Sequence, residues 1–259
     1  MEILRTFLNN DNIKIYNQNC LDLMKTIPDN SVDLIVTDPP YDIHVGIDGG
    51  SCSKHMGRTD RFKNENVKDI KNFGDGYDIV RFGNEFVRIM KNINIYIWCN
   101  KKQIVDYFNF YVNELHCLYD ILTWNKTNCM PTYANKYLTD TEYCLFFKKG
   151  ATCHPNSFED AKTYWLEPIN QTDKAKYGHP TIKPLNMIEK LVKNSSNEGD
   201  LVFDPFLGSG TTACACKKLN RRFIGSEISE EYYKLALKRV EEQEQEIKDN
   251  KNILEGFFQ

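Results

Sequence analysis

The chain has 259 residues, of which 41% are hydrophobic and 27% charged, with a formal net charge of −3. That is enough apolar material for one full α/β domain with insertions, or for two small domains, and the charge neither demands nor excludes a nucleic-acid partner. No apolar run approaches the roughly 18 residues of a membrane span, the start M-E-I-L-R-T-F-L-N-N-D-N lacks a signal peptide's apolar segment, and the nine scattered cysteines form neither C-x-x-C nor a zinc spacing, so a cytoplasmic protein with no membrane partner and no metal is expected.

Apolar runs alternate with amphipathic stretches, which predicts a mostly parallel sheet with helices on its faces. I-K-I-Y from Ile13 reads as a strand, Leu21 to Ile27 as a short helix, and V-D-L-I-V from Val32 as a second strand that runs directly into T-D-P-P-Y. Residues 42–76 follow, rich in Gly, Lys, Asp and Asn and without periodicity; a segment of that length is read as an inserted loop, mobile or binding. Its stretch from Ser51 to Asn72 holds six Lys/Arg against three acids. Ile79 to Met90 reads as helix, Ile93 to Trp98 as strand and Gln103 to Asn113 as helix, with Leu118–Trp124 and Glu142–Phe147 as a candidate antiparallel pair. Residues 150–178 are polar and read as irregular. Then come a helix opened by Pro184, a strand Leu201–Phe203, a helix through Leu219, a short strand Arg222–Gly225, and a last helix capped at Ser229. No internal repeat is visible.

The passage L-V-F-D-P-F-L-G-S-G-T-T-A lies where a strand gives way to a helix. Gly208 and Gly210 allow a sharp turn and close approach of a ligand to backbone, and the helix start offers free N–H groups. Glu227 follows the next short strand, seventeen residues after Gly210, where a carboxylate can accept from two ribose hydroxyls. The same glycines also satisfy the dinucleotide pattern G-x-G-x-x-A, ending at Ala213. Asp204 and Pro205 weigh against a dinucleotide, because a carboxylate between strand and glycines would repel a pyrophosphate and suit a cation. S-adenosylmethionine, a sulfonium with an adenosine end and an amino-acid end, fits an acid, a glycine turn and a ribose-binding Glu together.

The D-P-P-Y motif at Asp38, Pro39, Pro40 and Tyr41 has a chemical reading of its own. The lone pair of an exocyclic amino group on a nucleobase is delocalised into the ring, and two acceptors on its hydrogens would draw the nitrogen toward tetrahedral geometry. The Asp38 carboxylate and the Pro39 carbonyl can be those acceptors. The prolines stiffen the turn, and Tyr41 offers a face on which an extruded base can stack.

Together with H-P-T-I-K-P from His179 to Pro184, these motifs resemble the amino-methyltransferases of DNA, in the permuted class often called β, over most of the chain from about Ile13 to about Val240. The resemblance implies one methyltransferase domain over residues 1–259. Its Rossmann-like, seven-stranded, mostly parallel sheet would carry helices on both faces, with the motif order circularly permuted. It implies Asp38, Pro39, Pro40 and Tyr41 as the catalytic set, with Asp38 also facing the cofactor. Asp204, Pro205, Phe206, Gly208, Ser209, Gly210 and Thr211 would surround the cofactor's methionine part, Glu227 would hold its ribose, and Thr181 and Lys183 would lie near its carboxylate. The stretch N-Q-N-C-L-D from Asn17 resembles the family segment that touches the adenine ring, through Asn19 and Cys20. Relatives commonly have Asp where this chain has Asn19. T-W-N-K-T-N from Thr123 and T-E-Y-C from Thr141 resemble segments near the target-base pocket, and residues 150–178 take the position of a target-recognition segment.

In that family D-P-P-Y goes with adenine, S-P-P more often with the cytosine amino group, and N-P-P-Y with glutamine or RNA. The expectation is therefore a DNA methyltransferase that flips out adenine and transfers the methyl of S-adenosylmethionine directly to N6. DNA would be its partner, and the resemblance allows a homodimer and a cognate restriction endonuclease acting on the same site. N4-cytosine or RNA amino-methylation is the nearest alternative. An NAD-dependent oxidoreductase and a non-catalytic DNA-binding subunit are more remote ones.

Overall fold

In the computed structural model, which describes residues 12–40, 77–129, 137–178 and 181–257, side-chain parity along the strands sorts the core into two layers. In the strand Ile93–Cys99 (β3), Tyr96 and Trp98 join one buried cluster, while Ile95, Ile97 and Cys99 join the other. The strand Leu34–Thr37 (β2) divides the same way, Leu34 and Val36 against Ile35. Strands buried on both faces belong in the middle of a sheet that helices cover from both sides. On one side lie the helices Leu185–Ser195, Thr211–Lys218 and Glu230–Phe257. On the other lie Cys20–Met24, Ile79–Ile89 and Ile104–Phe108.

The remaining strands are Ile13–Tyr16 (β1), Leu118–Lys126 (β4), Thr141–Lys149 (β5), Tyr164–Glu167 (β6), Leu201–Asp204 (β7) and Arg222–Ser226 (β8), and the sheet order is β1-β8-β7-β2-β3-β5-β4-β6. From β1 to β3 every neighbour is parallel. The strand β5 runs antiparallel to both β3 and β4, and β6 is parallel to β4. The two strands that come last in the chain, β7 and β8, are thus inserted between the first two, β1 and β2. This is the permuted order that the motifs imply.

Two expectations change. Among the described residues the sheet has eight strands where seven were expected, and the additional one, β6, comes from the 150–178 segment read as irregular. Of its four residues only Trp165 is buried, so no apolar alternation marks it; pairing with β4, Thr123 opposite Tyr164 through Lys126 opposite Glu167, makes it a strand. The same segment also forms the short helix Phe158–Ala161, capped by Ser157, and the helix Gln171–Tyr177, capped by Asn170 and closed by Gly178 at φ +71°. The helix expected over 103–113 begins at Ile104 but widens after Phe108 into a π-type turn over Asn109–Glu114, where the Leu115 N–H bonds to the Phe110 carbonyl at 3.2 Å.

Among the described residues, no helix is long and apolar enough to cross a membrane, eight cysteines are free thiols, and no group of His, Cys, Asp or Glu could hold a metal. Tyr41, the 42–76 loop, His179 and Pro180 lie outside the described residues.

Trp165 is 7% exposed and its ring centroid is 6.1 Å from that of Trp98, so it anchors β6 to the core. Trp165→Ala is expected to cost about 3 kcal/mol in urea unfolding, the range for emptying a buried indole site.

Candidate functional site

The parallel strands deliver their carboxyl ends to one edge of the sheet, and the motif residues gather there. Pairing of Leu34 with Val202 and Ile35 with Phe203 puts β2 beside β7. One step further, the Thr37 hydroxyl donates to the Asp204 carboxylate at 3.0 Å. The D-P-P turn and the glycine loop are therefore adjacent, although 167 residues separate the two bonded groups. Asp38 is partly exposed and Pro39 buried.

Asp204 is 3% exposed and has a structural set of partners. Besides Thr37, it accepts from the Phe206 N–H at 3.1 Å and from the Thr212 hydroxyl at 2.7 Å. It thereby ties the end of β2, the turn after β7 and the first turn of the helix Thr211–Lys218. Burial pushes its carboxyl up to about 7, against those three hydrogen bonds and with the nearby Asp38 adding to the rise.

The glycine loop is braced from three sides. Gly208 has φ +53° and Gly210 φ +86°, and a Cβ on Gly210 would come within 2.9 Å of both Cα and Cβ of Ala236 on the long last helix. Glu227, just past β8, accepts from the Gly208 N–H at 2.8 Å on one oxygen and from the Ser229 N–H at 2.8 Å on the other. Burial raises its carboxyl, while those backbone donors pull the other way. The Ser226 hydroxyl donates to the Pro205 carbonyl at 2.9 Å. From the last helix, buried Arg239 donates through one nitrogen to the Ser209 carbonyl at 2.8 Å, the Ser209 hydroxyl at 2.8 Å and the Thr211 hydroxyl at 3.0 Å. Its guanidinium lies 4.7 Å from the centroid of the Tyr177 ring, which links the 150–178 segment to the loop. The Phe206 ring turns the other way, its centroid 5.5 Å from those of Tyr77 and Phe82.

Lys183, expected near a cofactor carboxylate, has carboxylate neighbours within the protein. It is 7% exposed and lies between two carboxylates of the protein itself: it binds one oxygen of Asp38, and Glu142 is 3.2 Å away on its other side. The face of the Trp98 ring lies below, 5.1 Å from Nζ to centroid. Burial alone would depress this ammonium; the charges of Asp38 and Glu142 outweigh it and hold the pKa above the ordinary lysine range. Glu142 in turn pairs with Lys126 on β4. Burial would raise Glu142, but Lys183 and Lys126 hold it below the usual range. Glu142 reaches this edge because β5 runs antiparallel, so its first residues meet the last residues of β3 and β4.

Asn19 caps the helix Cys20–Met24, its side-chain oxygen accepting from the Leu21 N–H at 2.9 Å, so part of its acceptor capacity is spent locally. Burial pushes the Cys20 thiol up to about 11. Asn17 donates to the Glu227 carbonyl at 2.8 Å, joining the ends of β1 and β8. Thr181 is exposed, two residues ahead of Lys183. Sequence reading missed Thr37, Glu142 and Arg239 as site residues. Glu142 was visible only as part of a family-like stretch, and Arg239 carries no local signal at all, since it is one arginine in a charged helix.

A family model described as DNA methylase matches residues 32–238. The Type II methyltransferase M2.MboI of Moraxella bovis is 28% identical over 247 residues, covering 89% of this chain and 88% of the relative. The Type II methyltransferase M2.DpnII of Streptococcus pneumoniae is 26% identical, covering 92% of each. Among solved structures, the M1.HpyAVI–SAM complex superposes with a TM-score of 0.64 at 26% identity, over 88% of this chain and 99% of that one. The cytosine-N4-specific PvuII DNA methyltransferase also superposes with a TM-score of 0.64, at 16% identity, which is a likeness of fold.

Two measurements follow from this geometry. A raised acid binds its proton more tightly in the folded state, so Asp204 favours folding below its unfolded pKa and that contribution is lost as pH rises through about 7. Relative to Asp204→Asn, wild-type unfolding free energy is therefore expected to fall between about pH 4 and pH 7 and to level off above, as read by denaturant titration across pH. Gly210→Ala, strained at φ +86° and blocked by backbone of the last helix, is expected to lower the melting temperature by several degrees, about 2 kcal/mol or more, in a thermal melt.

Proposed function

The chain belongs to the DNA methylase family, and on that premise we propose that it transfers the methyl group of S-adenosylmethionine to the N6 amino group of adenine in DNA. The observation that carries the reading is the hydrogen bond between Thr37 and Asp204. It sets the amino-group acceptor of one motif against the glycine turn of the other, as direct transfer requires.

The residues fit the cofactor. Asp38 and Glu227 set carboxyl oxygens at the strand ends, acceptors that suit the hydroxyl and ammonium donors of S-adenosylmethionine better than a pyrophosphate. Glu227 takes the Gly208 and Ser229 N–H groups on different oxygens, and its carboxylate has further lone-pair capacity for a ribose hydroxyl. Gly208 and Gly210 leave backbone bare for close approach. In this reading Asn19, Cys20, Thr181, Pro205, Phe206, Ser209 and Thr211 complete the cofactor's surroundings, and Asp204 acts from beneath as the brace of the loop. When bound, S-adenosylmethionine supplies a methyl carbon activated by the adjacent sulfonium.

The chain's own residues then act on the base. The Asp38 oxygen Oδ1 is buried and has no hydrogen-bond partner among the described residues, an acceptor ready for an amino N–H. The Pro39 carbonyl takes the second hydrogen, Pro40 stiffens the turn, and Tyr41 stacks on the flipped ring. With both hydrogens held, the nitrogen lone pair would turn toward the methyl carbon; as the C–N bond formed the carbon–sulfur bond would break to leave a neutral thioether, and the amino proton would then pass by way of the Asp38 carboxylate to solvent. Adenine is preferred over cytosine because the motif opens with Asp.

Residues 150–178 are proposed as the target-recognition segment, on the ground that they form the outermost strand β6 and a helix stacked onto Arg239. The Type II designation of the relatives supports a cognate restriction endonuclease for the same site. A homodimer and a cytoplasmic location complete the proposal. Sedimentation equilibrium tests the dimer, and a single-chain mass would remove it.

Reaction with labelled S-adenosylmethionine and DNA, followed by nucleoside analysis, is expected to give N6-methyladenine. Labelled N4-methylcytosine alone would overturn the base assignment, and no transfer to any base would overturn the enzyme. Asp38→Ala is expected to slow turnover by roughly a thousandfold while cofactor affinity, measured by calorimetry, changes less than about threefold.

A further inference from the structure

We infer that Lys183 and Glu142 are positioning residues for methyl transfer: Lys183 binds one oxygen of Asp38, Glu142 holds Lys183, and Asp38 is left to present only its other oxygen to the target amino group. The inference rests on the role proposed for Asp38 and adds to it two residues that act through Asp38.

Three observations carry it. First, the Lys183 side chain is 7% exposed, and a buried ammonium is costly unless carboxylates and hydrogen bonds compensate it. Its two carboxylates come from separate elements, Asp38 from the turn after β2 and Glu142 from the first residues of β5. With Lys126 on Glu142, the chain Asp38–Lys183–Glu142–Lys126 alternates in sign and closes at net zero. Second, the two oxygens of Asp38 are not equivalent. Oδ2 meets the ammonium, whereas Oδ1 is buried and has no donor among the described residues. A buried carboxylate oxygen without a donor among the described residues has its lone pairs available for a ligand's hydrogen. Third, the position of Lys183 is over-determined. Trp98 lies beneath it at 5.1 Å, and Pro184, which follows at once, caps the helix Leu185–Ser195. The ammonium therefore fixes the rotation of the Asp38 carboxylate and the direction in which Oδ1 points.

Among the described residues, Lys183 is faced by Asp38 and Glu142, with the Cys144 thiol close enough to feel its charge, Lys126 beyond Glu142, and Lys174 of the helix Gln171–Tyr177 close enough to feel both lysines. Burial and these two cations lower Lys174, while Asp38 and Glu142 keep Lys183 charged above the ordinary lysine range. Removing the Glu142 charge takes away one of the two influences that oppose burial, so the alkaline pH at which Lys183 loses its proton must fall.

The test is single-turnover methylation from pH 6 to pH 10 with Glu142→Gln, Lys183→Met and the double variant, beside calorimetric binding of S-adenosylmethionine and a thermal melt of each. Glu142→Gln keeps the shape and an acceptor for Lys183, so it stays informative if Lys183→Met fails to fold. The expected result is a saturated rate down about tenfold in Glu142→Gln and about a hundredfold in Lys183→Met, with cofactor affinity within about threefold of wild type. Wild type is expected to hold its rate up to pH 10 whereas Glu142→Gln falls toward the alkaline end of the range, and Glu142→Gln adds no loss in the Lys183→Met background. A Glu142→Gln enzyme with the wild-type rate and pH profile overturns the inference. So does a Lys183→Met enzyme that binds cofactor poorly yet reacts at the wild-type saturated rate, which would make Lys183 a ligand of the cofactor carboxylate. Asp38→Ala under the same conditions separates the two levels. If it methylates normally, the role of Asp38 falls. If it is inert while the Glu142 and Lys183 variants are fully active, only the positioning roles fall.

Discussion

The pairing of β2 with β7, sealed by the hydrogen bond from Thr37 to Asp204, is the constraint on which the rest of the site depends. Each strand alone ends in a turn that any α/β protein could carry. Side by side, they bring an acceptor-bearing proline corner to the mouth of a glycine turn. The pairing is possible only because two late strands fill the gap between two early ones, so a non-local contact of the main chain precedes every side-chain arrangement described above.

Two acids meet at this junction and are handled in opposite ways. Among the described residues, Asp204 is surrounded by two hydroxyls and an N–H without a cation, and burial pushes it up to about 7. Asp38 has a lysine on one oxygen and, among the described residues, no donor on the other. Two carboxylates so close would repel one another if both stood ionised without compensation. The lysine on Asp38 and the hydroxyl set around Asp204 divide the work. One group keeps charge available at the surface of the site, and the other holds the strand ends together beneath it.

The long last helix contributes more than cover for the sheet. Ala236 leaves room at Gly210 only for a hydrogen, and Arg239 grips the next residues of the loop on one side while meeting Tyr177 on the other. Lys176 and Tyr177 also bind Glu242 at 2.8 Å each. The segment proposed to read the target is thus bolted to the element that shapes the glycine loop, so displacement of one bears on the other through a few rigid contacts.

Much was legible in the order of residues alone. The alternation of apolar runs with amphipathic stretches marked a mostly parallel sheet with helices on its faces, the Pro184 helix start and the strand-to-helix glycine loop were read directly, and the motif order implied the permuted arrangement. These features are local, set by side-chain period, fixed proline φ and glycine's access to positive φ, and they survive any tertiary context. The partners of buried charge are of another kind. Lys183 and Asp38 stand 145 positions apart, and which carboxylate meets which ammonium depends on strand order, strand direction and register. The direction of β5 brings Glu142 to the site, β6 becomes a strand because β4 offers it a free edge, and Arg239 matters because a helix passes 30 positions after Ser209. Such pairings are decided by where the backbone goes, and no short stretch of sequence contains that information.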